Sequence, residues 1–99
     1  MKFTTTQPET MAAAAGRLIG IGSELKAQNA AVIAPTTGLT PAAADEVSAL
    51  TAAQFASHAA MYQAVSAHAA AVHDLFVSVL GESAASYAAT EAANASSVI

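Results

Sequence analysis

Apolar residues recur along the first part of the chain at the spacing of one helix face. Pro8 and Glu9 begin this segment as a helix start, with proline at the first helical position and a carboxylate near the positive end of the macrodipole. The apolar positions follow a seven-residue interval with two additions, and they are Met11, Leu18, Leu25, Val32, Ala14 and Ile21. This pattern predicts a helix of about residues 8–33 with a narrow apolar face.

A group of turn-forming residues interrupts the apolar pattern. Pro35 cannot continue a helix, and Gly38 permits the chain to reverse. Thr40 and Pro41 then have the character of an N-cap followed by proline at the first helical position. We therefore expect a reversal of the chain between two helices, with the second helix starting at Pro41.

The second predicted helix carries two apolar rows. In the first row the spacing alternates between four and three residues, and a parallel row runs beside it. The first row is Val47, Thr51, Gln54, His58, Met61, Val65, His68, Val72, Leu75 and Val79, and the second is Phe55, Tyr62, Ala69 and Phe76. Together they predict an apolar face on a helix of about residues 41–80, which Gly81 ends as a C-cap.

The two predicted helices differ in length. If they fold back on each other, the first reaches only to about Ala67, so the last turns of the second lack a partner within the chain. These turns hold a dense apolar cluster of Val72, Leu75, Phe76, Val77, Val79 and Leu80. On the opposite face, alanines leave a smooth surface on which another helix can lie, and they are Ala52, Ala53, Ala56, Ala59, Ala60, Ala64, Ala67, Ala70 and Ala71. The sequence therefore predicts an all-α antiparallel hairpin that needs a partner.

Composition removes several classes of function. The 99 residues suffice for one small domain, and they are 55% hydrophobic and 10% charged with a net charge of -4. The absence of cysteine excludes disulfide scaffolds and thiolate metal sites. Since there is no basic cluster, we expect no binding of nucleic acid. Without a Gly-x-Ser-x-Gly turn or a phosphate-binding glycine loop, we expect no enzyme, no catalytic residue and no cofactor.

The three histidines do not form a metal site in this interpretation. His58, His68 and His73 are ten and five residues apart, and neither gap brings two rings together on one helix face as the four-residue step of a ligand pair would. We expect His58 and His68 on the apolar face and His73 in solvent. If the first two titrate near neutral pH, binding of a partner weakens on acidification.

A pair of glycines on the first helix has two interpretations. Gly16 and Gly20 are four residues apart, which allows either a close crossing with a partner helix or tolerated flexibility on an exposed face.

The middle of the chain has the length of a membrane span but not the composition. Between Glu46 and Asp74 lie 27 residues without a charge. The stretch also holds polar side chains, among them Gln54, His58, Gln63, His68 and several hydroxyls. Because such groups are costly inside a bilayer, we expect a long soluble helix.

The N-terminus lacks the apolar region of a signal peptide, so no cleavable signal is expected.

Five short segments spread over the chain carry a family resemblance. They are Pro8-Glu9, Ala27-Gln28-Asn29-Ala30-Ala31, Ala34-Pro35-Thr36-Thr37-Gly38, Pro41-Ala42-Ala43-Ala44-Asp45-Glu46-Val47-Ser48 and Tyr87-Ala88-Ala89-Thr90-Glu91. They resemble the PE domain of the mycobacterial PE family, which is named after a Pro-Glu pair placed as Pro8 and Glu9 are here. The resemblance covers essentially the whole chain, and without a C-terminal extension the chain looks like a PE-only member.

The resemblance implies a complex with a partner protein and a secretion pathway. It implies that a hairpin domain, residues 1–83, completes a four-helix bundle in an obligate heterodimer with a PPE-family protein. It also implies export by a type VII (ESX) secretion system, with a secretion chaperone contacting the PPE partner. The protein would be cytoplasmic before export and secreted or at the cell surface afterwards, where membrane contact can follow.

The resemblance also suggests which residues act. The secretion motif of these systems, a tyrosine and an acidic residue four positions apart, falls on Tyr87 and Glu91 in a segment, residues 84–99, expected to be a flexible tail. The expected partner interface consists of Leu18, Ile21, Leu25, Val32, Phe55, Tyr62, Val65, Val72, Leu75 and Phe76.

Two rival interpretations remain open at this stage. In one, the exported protein and its PPE partner are a membrane-associated component of a transport pore in the outer envelope, which the uncharged central stretch makes conceivable. In the other, the chain forms a homo-oligomeric bundle. Detergent partitioning would distinguish the first, and a size measurement of the lone chain would distinguish the second.

Overall fold

A computed structural model describes residues 4–42 and 44–98 of the chain. The described residues form three helices, α1 (Pro8–Ala31), α2 (Ile33–Thr37) and α3 (Glu46–Ser97), and no strand. The expected all-α class is therefore confirmed. Residues 1–3 and 99, which are the outer ends of the predicted domain and tail, lie outside the described residues, and so does Ala43 of the family resemblance.

The end of α1 is set by a proline four residues farther along the chain. Pro35 has no N–H to donate to the carbonyl of Ala31, and its ring crowds that carbonyl, so the helix is interrupted after Ala31. The chain then resumes as α2, whose first turn contains Pro35. The prediction that Pro35 ends the helical segment is thus corrected, because proline is tolerated in the first turn of a helix.

The start of α3 is set by a carboxylate rather than by the predicted threonine. The backbone N–H of Ser48 donates to Oδ1 of Asp45 at 2.7 Å, and the Ser48 hydroxyl donates to Oδ2 at 3.2 Å. Asp45 therefore caps the helix that begins at Glu46. The predicted start at Pro41 is wrong, because the carboxylate of Asp45 provides the cap five residues later.

At its other end α3 does not stop where the sequence predicted. The helix continues through Gly81 to Ser97, and no described glycine has the positive φ of a C-cap. A glycine inside a helix costs roughly 1 kcal/mol relative to alanine. The alanine-rich sequence that follows favours helix, and Ala84 is buried, so local propensity and packing offset this cost. The predicted end near Leu80 is thus corrected, since most of residues 84–99 is helical.

The chain divides into two compact units. The first combines Met1–Gly22 with His73–Ile99 and contains the buried apolar residues Ala15, Val77 and Ala84. Its helices run antiparallel, because Thr6 bonds to Glu91 whereas Leu18, farther along the chain, bonds to His73. The expectation that the last turns of the long helix lack a partner within the chain is therefore wrong.

The second unit consists of Ser23–Val72. Within it, Asn29 is the main polar link, since its Oδ1 accepts the Tyr62 hydroxyl at 2.7 Å and its backbone carbonyl accepts Nε2 of Gln63 at 2.9 Å. Residues of the connection after α2 lie beside the first turns of α3, around a depression of about 280 Å³ lined in part by Leu39, Val47 and Phe55.

The face of α3 that packs inside the chain is the one with small side chains. Between Ala52 and Ala84 a row of buried and half-buried positions alternates by four and three residues, and it is Ala52, Ala56, Ala59, Gln63, Ser66, Ala70, His73, Val77, Leu80 and Ala84. The sequence-based assignment is therefore inverted, because several alanines expected to receive an outside helix instead lie in the contact within the chain.

Candidate protein-binding surface

Large apolar side chains on the outside of α3 form the most prominent surface feature. We call the row with alternating spacing, from Val47 to Val79, the apolar row. The apolar members of this row are exposed by 50% at Val79 to 73% at Val47. The neighbouring aromatic side chains Phe55, Tyr62 and Phe76 are exposed by 52–61%. Since no charge occurs between Glu46 and Asp74, most of this surface can be covered only by another apolar surface.

Apolar side chains of α1 and of the residue that follows it are exposed as well. Ile21 and Leu25 are both more than half exposed, Val32 is 40% exposed, and Leu18 is half-buried. Nine of the ten residues expected to bind a partner are therefore on the surface, which leaves them available for binding. The interface itself stays a prediction.

The amount of exposed surface is large for a chain of this size. The chain exposes 7502 Å², whereas folded monomers of 9.8 kDa expose about 5200 Å². The described buried apolar residues are only Ala15, Val77 and Ala84, so no large aromatic or leucine side chain is among them. The excess of about 2300 Å² is comparable with one partner's share of a large permanent interface.

Polar side chains interrupt the apolar row. The Thr51 hydroxyl donates to the carbonyl of Val47 at 2.9 Å, so its hydrogen-bonding need is met within the helix. Gln54, His58 and His68 are exposed, and within the described part of the chain they make no side-chain hydrogen bond. The two histidines are thus on the face expected for them, and the proposed weakening of binding on acidification stays a prediction.

His73 occupies the helix contact rather than solvent, which corrects the sequence-based expectation. Its ring is half-buried, and Nε2 lies 2.8 Å from the carbonyl oxygen of Leu18, to which the Nε2–H tautomer donates. The ring lies over Gly22, where an added Cβ would come within 2.7 Å of Nε2. Gly22 was missed in the sequence, because only the register between the helices shows that the His73 ring lies above it.

The other two glycines of α1 are not needed for packing inside the chain. A Cβ added at Gly16 or Gly20 would meet nothing within 4 Å. The pair therefore makes no close crossing within residues 4–42 and 44–98, and a crossing with a partner stays a prediction.

We expect the glycines of α1 to respond to alanine substitution with opposite signs. Gly20→Ala should raise the free energy of unfolding by up to about 1 kcal/mol, because alanine favours helix. Gly22→Ala should lower it by about 1–2 kcal/mol, because the new methyl group displaces the His73 ring from the Leu18 carbonyl. Thermal unfolding of the purified protein, followed by circular dichroism, measures both.

The control for this pair removes the clash. In a His73→Ala background, Gly22→Ala should no longer destabilise the protein, because no ring remains above the new methyl group. Equal destabilisation with and without His73 would contradict the assigned role of Gly22.

The predicted motif residues lie in the first unit. Tyr87 is 46% exposed on α3, and Glu91, one turn later, is half-buried. Oε1 of Glu91 accepts the Thr6 hydroxyl at 2.8 Å, so the segment before α1 is bonded to the motif carboxylate. Pro8 is the first residue of α1 and Glu9 is in its first turn, where both border a shallow depression against Gly81 and nearby alanines of α3.

The described residues contain no cluster of metal-binding side chains. Among them, no group of three or more His, Cys, Asp or Glu side chains could hold a metal ion. By length and composition alone α3 could cross a membrane, since an 18-residue window within it has a mean hydropathy of 1.4 and is 6% buried. The same test is passed by helices of soluble proteins, so this is weak evidence for a membrane span.

Comparisons with known proteins agree with the resemblance seen in the sequence. The family model described as "PE family" matches residues 4–94. The chain is 65% identical over 95 residues to PE family protein PE13 of Mycobacterium tuberculosis (strain ATCC 25618 / H37Rv), with 96% of both chains covered. It is also similar to PE family protein PE8 of the same strain, with 54% identity over 97% of this chain and 35% of that protein. PE-PGRS family protein PE_PGRS1 is 56% identical over 96% of this chain, which spans 19% of that protein's length.

Proposed function

This chain belongs to the PE family, and we propose that it is a non-catalytic binding protein that forms an obligate heterodimer with a PPE-family protein. In this proposal its helices and those of the partner form a four-helix bundle, and the folded pair is exported by a type VII (ESX) secretion system. A secretion chaperone would contact the PPE partner. The pair would be cytoplasmic before export and secreted or at the cell surface afterwards.

The observation that carries this proposal is the exposed apolar surface of α1 and α3. The apolar row and the aromatic side chains beside it are more than half solvent-exposed at most positions, while the residues buried within the chain are small. Burying each large apolar side chain contributes roughly 1.5–3 kcal/mol. A helical partner that covers these faces would thus supply the burial that the described part of the chain does not supply for itself.

Co-expression with candidate PPE chains tests the pairing. We expect the chain to be poorly soluble or aggregated alone, and soluble as a one-to-one complex with a matching PPE chain, because an uncovered apolar face promotes association. Size-exclusion chromatography with light scattering measures the stoichiometry. A lone chain that is monomeric, helical and cooperatively melting would contradict the proposal, and a defined homo-oligomer would favour the homo-oligomeric bundle.

A second candidate is a membrane-associated component of an outer-envelope transport pore formed with the same partner. The length and mean hydropathy of α3 favour it. Detergent partitioning of the exported pair separates the two candidates. A pair that stays in the aqueous phase supports the soluble heterodimer, and a pair that enters the detergent phase supports the pore component.

A further inference from the structure

The apolar row contains three polar side chains whose hydrogen-bonding groups face solvent. Gln54, His58 and His68 occupy the same helix face as Met61, Val65 and the other apolar members, and all three are exposed. In the described part of the chain none of the three makes a side-chain hydrogen bond. Thr51 differs from them, because its hydroxyl already donates to the Val47 carbonyl. The three side chains are therefore the members of the row that burial would leave without a partner.

Covering the row removes water from these three groups. A buried polar group without a hydrogen-bond partner weakens an association by roughly 10- to 100-fold. A partner helix that was apolar throughout would thus bind this row poorly at three positions. A helix with matching polar side chains would keep the apolar contacts and also satisfy the three groups.

No other polar feature of the row would fix how a partner helix aligns along it. Helical interfaces commonly use charged side chains beside the seam, or single polar side chains within it, to set alignment and partner choice. No charge lies between Glu46 and Asp74, so the first device is missing over this stretch. The remaining members of the row are mostly valine and methionine, which would tolerate a shifted helix.

We propose that Gln54, His58 and His68 select the partner by pairing with hydrogen-bonding side chains of the helix that covers the row. Along α3, Gln54 and His58 are about 6 Å apart, and His68 lies about 15 Å beyond His58. The partner helix therefore needs amide, hydroxyl or carboxylate groups at three positions with these spacings. This inference rests on the proposed pairing with a PPE-family protein and specifies which helix face of such a protein fits.

The test compares partner selectivity before and after the polar groups are removed. The triple variant Gln54→Leu, His58→Leu and His68→Leu is co-expressed with the PPE chain that solubilises the wild-type chain, and with each of a panel of PPE chains that do not. Relative affinities are measured by competition between differently tagged wild-type and variant chains for the same co-expressed PPE chain. We expect the triple variant to bind the solubilising PPE chain more weakly, by roughly 10-fold or more, because the polar groups of that PPE chain lose their partners. We expect binding to at least one of the others to become at least about 10-fold tighter.

Thr51→Val and Met61→Leu are the matched controls on the same row. Both should leave unchanged the ratio between the affinity for the solubilising PPE chain and the affinities for the other PPE chains. A triple variant that is helical by circular dichroism but has the wild-type ratio, within about threefold, overturns the inference while leaving the heterodimer intact. A wild-type chain that binds no PPE chain overturns the proposed function itself, so the two failures are distinguishable.

Discussion

Phe76→Asp is expected to abolish the pairing of this chain with its PPE partner. Phe76 is 57% exposed and lies beside the apolar row, so its ring is available to a covering helix. The substitution removes the burial of a large side chain and places a carboxylate in an apolar contact, a combined loss of about 4–5 kcal/mol. That loss weakens binding by roughly 1000-fold. Isothermal titration with the partner, or co-purification from cells that express both chains, measures it.

The matched control carries the same substitution elsewhere on α3. Ala71 is exposed and lies in neither apolar row, so Ala71→Asp introduces the same charge into the same helix. We expect it to preserve pairing to within about tenfold, because it removes little apolar area. If both variants lose the partner equally, the added charge rather than the location is responsible, and the assigned surface is wrong. If Phe76→Asp still pairs normally, the interface lies on another face.

Which face of α3 packs inside the chain could not be read from the size of its side chains. The sequence-based argument followed the rule that large apolar residues lie inside, and so placed Val65 on the face between the two helices, whereas Val72 and Leu75 were expected in turns without a partner within the chain. In the structure alanine, serine and glutamine positions lie in that contact, and those three side chains are exposed. Small side chains let two helix backbones approach closely, so a chain that packs through its small residues and leaves its large ones exposed inverts the usual rule.

The helix ends show where local signals compete. Thr40 with Pro41 and Asp45 with Ser48 are both acceptable helix starts, and only the structure shows that the carboxylate cap is used. Gly81 is a residue typical of a C-cap, but the alanine-rich segment after it packs within the first unit, where Ala84 is buried, and remains helical. The predicted difference in helix length is real and larger in the structure, with 24 residues in α1 and 52 in α3. The error lay in the register, because pairing was expected to end near Ala67, whereas Leu18 bonds to His73 and Thr6 to Glu91. Helix existence was predictable here, whereas helix ends depended on contacts between distant residues.

At the candidate site too, the sequence predicted which residues share a helix face but not which distant residues are in contact. His58, His68 and the aromatic side chains share the apolar face that the sequence predicted, but this face is exposed rather than packed between the helices of the chain. The contact of His73 with Leu18 and Gly22 joins residues 55 and 51 positions apart, and a single sequence without known register does not reveal such a pair. The bond between Thr6 and Glu91 was missed for the same reason.

Tyr87→Ala is expected to block export of the heterodimer while leaving its assembly intact. The ring is 46% exposed on α3, so a receptor can reach it, and its removal creates no cavity in the described core of the chain. We expect secretion by a mycobacterial host to fall at least about 10-fold with an unchanged complex in the cell, because the receptor loses a large anchoring side chain. Immunoblots of culture filtrate and cell lysate, probed for both partners, measure the two effects separately.

The acidic member of the motif needs a sharper test, because its carboxylate already has a partner within the chain. Glu91→Ala removes both a group that a receptor could read and the acceptor of the Thr6 hydroxyl. Thr6→Val removes only the hydrogen bond, at a cost of about 1 kcal/mol, and leaves the carboxylate in place. If the secretion machinery reads the carboxylate directly, Glu91→Ala blocks export and Thr6→Val is exported normally. An equal loss of export in both variants would instead mean that Glu91 acts by holding the segment before α1 against α3. Normal export of Tyr87→Ala would contradict the assignment of a secretion motif to Tyr87 and Glu91.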